Sequence, residues 1–163
     1  MKNIQIKTLI FCCLVVLLGS CKNKEKEVEP EVDFATEFSG NYYTYTAETG
    51  GGTEQLWEVT PIAKNQLKIA FTKNTNATIS GETFTLSQKY NLINVVATSK
   101  DSFTISETAN VEQSNGIPLS QKVEGVGTKV INSAGVQQIN IELKRTNSAS
   151  GIVTKEYLEF KKR

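Results

Sequence analysis

Leu67, Ile69 and Phe71 alternate with Lys68, Ala70 and Thr72, and the same period of two recurs over most of the chain after Phe34. Successive side chains of a strand point to opposite faces, so this pattern gives each segment one apolar face; an amphipathic helix would need a period of 3.6. Trp57 with Val59, Phe84 with Leu86, Phe103 with Ile105, and Ile139 with Ile141 and Leu143 repeat it. Turn residues punctuate the segments: Gly50-Gly51-Gly52, Lys64-Asn65, Ser80-Gly81, Lys100-Asp101, Asn115 to Pro118, Asn132 to Gly135, and Asn147 to Gly151. Strands are expected over 41–47, 55–61, 67–72, 77–79, 83–88, 119–131 and 152–160, around Phe103 and Ile105, and from Ile139 to Leu143, with 90–98 ambiguous.

The fold class is therefore all-β, an antiparallel meander of about eight strands. Each strand must bury its apolar face against the others, and rolling the meander into an up-and-down barrel also hides its edges. A two-sheet β-sandwich is the alternative, since strand count does not separate the two.

The beginning of the chain has a different character. Lys2 and Lys7 precede an unbroken apolar run from Leu9 to Leu18. A helix of that length spans about 15 Å, half of a bilayer core, which suits the apolar region of a signal peptide and not a permanent membrane span. The run ends in Leu18-Gly19-Ser20-Cys21, which resembles the lipobox of bacterial lipoproteins. That resemblance implies removal of residues 1–20 and a covalent lipid, palmitate included, on Cys21. Two or three acyl chains, at about 0.8 kcal/mol per buried methylene, hold a protein on a membrane essentially permanently. In the same family an Asp after the cysteine favours the inner membrane; Lys22 stands there, which implies the outer membrane, on either face.

Lys22 to Asp33 is a charged run of three Lys, four Glu and one Asp interrupted by Val28, Pro30 and Val32. Pro30 disfavours helix at Glu29, and the stretch reads as a solvated spacer reaching about 40 Å when extended. Glu25 and Glu27 resemble, in part, the acidic export signal of surface lipoproteins, with Lys24 and Lys26 departing from it. The organisation expected is thus a signal peptide over 1–20, a lipidated terminus and linker over 21–33, and an all-β domain over 34–163.

Composition narrows the chemistry. Loss of Lys2 and Lys7 leaves 16 of 18 basic residues against 17 acidic ones, so no basic excess remains to gather the phosphates of a nucleic acid. Cys12 and Cys13 leave with the signal peptide, and Cys21 alone forms no internal disulfide. Histidine is absent, which excludes a Ser/His/Asp triad, a Cys/His pair and any His-ligated metal. No metal and no cofactor beyond the lipid on Cys21 is expected, and the chain is not read as an enzyme.

Phe38-Ser39-Gly40-Asn41-Tyr42 is similar to the Phe-x-Gly-x-Trp/Tyr opening of lipocalin-like and fatty-acid-binding-like barrels, with Tyr42 in place of the commoner Trp. The resemblance implies a closed barrel, Tyr42 plugging one end, and an internal cavity. Tyr43, Tyr45, Trp57, Phe71 and Phe84 are then the candidate ligand-binding residues, although aromatic residues also pack across neighbouring strands. Gly125 and Gly127 share one face of a strand and fit either a bend or bulge or the close approach of a ligand or another backbone.

Three functions stay open: a membrane-anchored module binding a small apolar ligand, a glycan or an envelope protein; a structural or inhibitory envelope protein without a cavity; and a carboxylate-dependent hydrolase using Glu48, Glu54 and Glu58.

Overall fold

The alternation becomes eight antiparallel strands: β1 (Gly40–Glu48), β2 (Gly51–Ala63), β3 (Gln66–Ile79), β4 (Glu82–Ser99), β5 (Ser102–Gln113), β6 (Leu119–Ile131), β7 (Gln137–Asn147) and β8 (Val153–Lys162). They close in sequence order into an up-and-down barrel, so the sandwich alternative is not the fold. The computed structural model describes residues 32–163; the expected signal peptide over 1–20, the expected lipidation site Cys21 and the expected linker through Glu31 lie outside the described residues. The compact unit is Asp33–Arg163.

Two of the expected strands are longer than their patterns. β3 runs unbroken through 67–72 and 77–79, and β4 through 83–88 and 90–98. Ser80 and Gly81, with φ of 53° and 87°, form the two-residue turn between them, a geometry that matches the twist of paired strands. The ambiguity over 90–98 has a local cause. Leu67 pairs with Val95 but Ile69 with Leu92, so β4 carries one extra residue there, and Leu92 and Val95 both point inward. A bulge breaks the period of two without ending the strand.

One end of the barrel is shut by a 3₁₀ turn over Ala35–Phe38. Asp33 accepts backbone N–H groups from Ala35 and Asn65, at 3.0 and 2.9 Å, and these bonds hold its carboxyl below the ordinary value. Ala35 and Phe38 are fully buried, and the Phe38 ring meets Phe103 edge-on at 5.2 Å. Tyr42 closes the same end as the opening motif implies: its hydroxyl donates to the Phe38 carbonyl at 2.9 Å and accepts from Gln137 at 2.8 Å. Burial pushes its phenol up to about 12. Gly40, at φ 140°, has a backbone few side chains adopt, and a Cβ on it would stand 2.7 Å from Lys162.

Gly125 and Gly127 do not mark a bulge, because the β5–β6 and β6–β7 registers run through them without a shift, and at Gly125 another backbone does come close, with the Glu142 carbonyl oxygen 2.9 Å from where a Cβ would stand. They make room for the core. A Cβ on Gly127 would lie 2.3 Å from the Phe103 ring opposite it, and one on Gly125 would lie 2.9 Å from Ile141. Gly127→Ala is accordingly expected to lower folding stability by about 1–3 kcal/mol through overpacking, as read by chemical denaturation. A variant as stable as the parent would show that the ring moves aside freely.

Candidate functional site

Towards the other, open end the inner face changes from apolar to polar. On β3 the inward series is Leu67, Ile69, Phe71 and then Lys73; on β7 it is Ile139, Ile141, Leu143 and then Arg145; on β8, read backwards, it is Phe160, Leu158 and then Glu156. β2 joins them with Val59 and Trp57 followed by Gln55 and Thr53. The registers Trp57–Phe71 and Gln55–Lys73 place these as successive layers of one barrel.

The apolar layer is filled by its own side chains. Trp57 stacks on Phe160 at 4.0 Å between ring centroids and lies 6.0 Å from Phe71, which in turn stacks on Tyr90 at 4.6 Å.

The polar layer centres on Glu156. Arg145 and Lys73, the latter at 3.1 Å, both donate to its Oε1, while Gln55 Nε2 donates to Oε2 at 3.3 Å. The Arg145 side chain is 4% exposed, that of Lys73 14% and that of Glu156 27%. Burial raises the Glu156 carboxyl, but Arg145 and Lys73 outweigh it and leave the group below its ordinary value. Burial and the neighbouring Arg145 lower Lys73. Tyr90, raised by burial, donates to Gln121 at 2.8 Å beside the cluster.

Two cations thus share one carboxylate, and the satisfaction is incomplete. Gln55 Oε1 and Arg145 Nε are buried without a hydrogen-bond partner among the described residues. An unmet polar atom in a protein interior costs about 1–3 kcal/mol, so a native fold that keeps such atoms invites a functional explanation.

The cluster opens onto the seam between β1 and β8. Those strands pair only at Tyr42–Lys162 and Tyr43–Lys161, whereas β1 pairs with β2 over its whole length. Beyond Tyr43 the seam holds a recess of about 200 Å³ whose lining includes Glu48, Thr53, Gln55, Glu156, Tyr157 and Leu158. A second recess of about 290 Å³ borders it on the outer side, along Tyr43, Thr44, Tyr45, Glu159 and Lys161.

No family model matches the chain, and neither does any curated protein or solved structure. The site therefore stands on its geometry.

The five aromatic candidates do not converge. Trp57 and Phe71 are fully buried in the filled layer. Tyr43 and Tyr45 lie outside the barrel at the seam; Arg163 covers the Tyr43 ring at 4.5 Å, and the phenol of Tyr45 lies over Gly52, where a Cβ would meet its hydroxyl oxygen at 2.2 Å. Phe84 is 54% exposed on the β3–β4 hairpin, opposite Ala77. Of the three acids, Glu48 lines the recess, whereas Glu54 accepts from Asn74 at 3.2 Å and Glu58 is exposed. Sequence reasoning passed over Lys73, Arg145 and Glu156. Their signal was present, because each continues the apolar phase of its strand with a charge.

Proposed function

We propose that the chain is a lipid-anchored lipoprotein of the bacterial outer membrane whose barrel binds a hydrophilic group of an envelope partner, glycan or protein, at the recess between β1 and β8. The reading includes no catalysis and no dissociable cofactor. The anchor rests on Leu18-Gly19-Ser20-Cys21, and the outer membrane on Lys22. The observation that carries the binding site is the buried Arg145–Glu156–Lys73 cluster, with unmet atoms on Arg145 and Gln55 among the described residues, opening onto a recess where hydroxyl, amide and carboxylate groups stand beside Tyr157 and Leu158. Among the partners left open by the sequence, a small apolar ligand has the least support, since Trp57, Phe71 and Phe160 occupy the apolar layer themselves. The filled layer equally supports an envelope protein that acts at its surface. Binding at the recess is compatible with that reading and needs no internal cavity. Glu48, Glu54 and Glu58 give the hydrolase no support, because they do not meet in one cleft.

Photo-crosslinking in cells tests this directly. With a benzophenone side chain at Glu48, the lipoprotein is expected to give a discrete adduct from the membrane fraction; the same label at Val126 on β6 should give none. A Cys21→Ser version should lose its fatty acid mass and its membrane fractionation. Equal adducts from both positions, or none at Glu48, would refute the recess, and unaltered mass and fractionation would refute the anchor.

A further inference from the structure

The seam exposes backbone as well as side chains. Asn147 donates its amide to the Ile152 carbonyl on the β7 side at 2.9 Å, and Arg163 donates to Asn41 on the β1 side at 2.9 Å. In antiparallel strands the N–H and C=O of successive residues point alternately to the two neighbours. Even-numbered residues of β8 therefore bond to β7, and odd-numbered ones turn towards β1. The β1–β8 ladder ends at Tyr43–Lys161, so Glu159, Tyr157, Lys155 and Val153 on β8, and Tyr45 and Ala47 on β1, present amides and carbonyls to the seam with no ladder partner among the described residues. If the register continued, Tyr45 would face Glu159 and Ala47 would face Tyr157. Instead the recesses of about 200 and 290 Å³ stand between the strands, one facing inward and one outward.

We propose that this seam is a strand-docking site for an extended, acidic peptide segment of the envelope partner. The inference rests on the reading that the recess is the binding site and names what enters it. Only an extended backbone supplies donors and acceptors at the spacing these residues present, and strand addition of this kind draws affinity from the main chain and specificity from alternate side chains. The two recesses suit that alternation. Inward side chains of the guest meet Thr53, Gln55, Glu48 and Glu156, so its acidic side chains belong on the outer side, where Glu159 and Lys161 line the recess, Arg163 lies over the Tyr43 ring and Lys155 follows further along β8. A second folded copy is a poorer guest, because its own β8 carries β7 along its other edge and cannot enter between two strands. Lysines on an exposed edge also discourage pairing with another sheet.

The test uses the full-length lipoprotein in nanodiscs and a short synthetic peptide that alternates glutamate with threonine, followed by isothermal titration. Binding is expected to fall at least tenfold when the peptide is N-methylated at every second residue in either frame, and when lysine replaces its glutamate. Tyr157 turns its amide to the seam, so Tyr157→Pro should keep a melting temperature close to that of the parent and still lose peptide binding at least tenfold. Tyr157→Ala, which keeps the amide, should bind within a few-fold of the parent. Leu158→Pro, by contrast, removes a bond to β7 and should unfold the barrel.

Equal binding of the N-methylated peptide, no binding by the parent, or a dimer that forms through the seam would each overturn strand docking. If crosslinking at Glu48 persisted while peptide binding failed, the recess would remain as a site for a glycan and only the strand inference would fall. Failure of both would remove the recess as well.

Discussion

Trp57→Ala is expected to cost about 3–5 kcal/mol of folding stability and to give the barrel a capacity for apolar ligands that the parent lacks. The Trp57 ring fills the centre of the interior, with Phe160 stacked on it at 4.0 Å, Phe71 at 6.0 Å and Phe103 at 6.3 Å. Those neighbours sit on paired strands and cannot collapse into the vacated volume, so the loss includes a cavity term besides the transfer of the ring. An apolar cavity of this kind stays dry and accepts small aromatic molecules. Indole should therefore raise the melting temperature of Trp57→Ala in a concentration-dependent way and leave that of the parent unchanged. Native mass spectrometry of the parent purified from its own membranes should likewise show no retained fatty acid beyond the covalent anchor. A parent that binds indole as well as the variant does would mean that an apolar cavity already exists, and the seam would lose its claim to be the binding site.

How much of this was legible before the fold is clearest residue by residue. A period of two is enough to find strands, and the eight found here are the segments that show it. It fails where the inner face is itself polar. From Lys73 to Asn76 both faces of β3 are hydrophilic, so the sequence shows a break where the strand runs on into the open end. It fails again at Ile93 and Asn94, where the bulge resets the phase.

The site was less legible than the fold for a related reason. Alternation tells inside from outside but carries no measure of depth along the barrel axis. Tyr43, Tyr45, Trp57, Phe71 and Phe84 look alike as aromatic strand residues, yet two are outside the wall, two are in the filled layer and one is on a hairpin. The information that pointed to the site lay in charge. Arg145 follows Ile139, Ile141 and Leu143 in the inward phase, and a charged residue is rarely buried unless it is paired. Lys73 and Glu156 repeat that exception on two other strands, and the barrel brings all three exceptions to one place.

The second large effect separates what this cluster does for folding from what it does for binding. Glu156→Leu removes the carboxylate that, among the described residues, touches both Arg145 and Lys73, and leaves two cations facing each other in a poorly solvated interior. Breaking one member of a buried ionic group typically costs about 3–5 kcal/mol. Replacing all three together, with Lys73→Met, Arg145→Met and Glu156→Leu, removes the desolvation penalty along with the attraction. Such exchanges are often neutral or stabilising by about 1–4 kcal/mol. The triple variant is therefore expected to melt at or above the parent temperature even though the single variant is crippled.

Acid should reveal the same group. The folded Glu156 carboxyl lies below its ordinary value, so its contribution is fully present above the ordinary carboxylate range and is lost as pH falls through the lowered folded value. Denaturation from neutral pH into that range should weaken the parent more steeply than the triple variant, which lacks the Glu156 carboxylate and its two cations. If the triple variant is stable but no longer crosslinks at Glu48 or binds the acidic peptide, the charges are kept for recognition at a cost to the fold. If it is stable and still binds, they contribute nothing to the partner, and the backbone edge alone must account for docking.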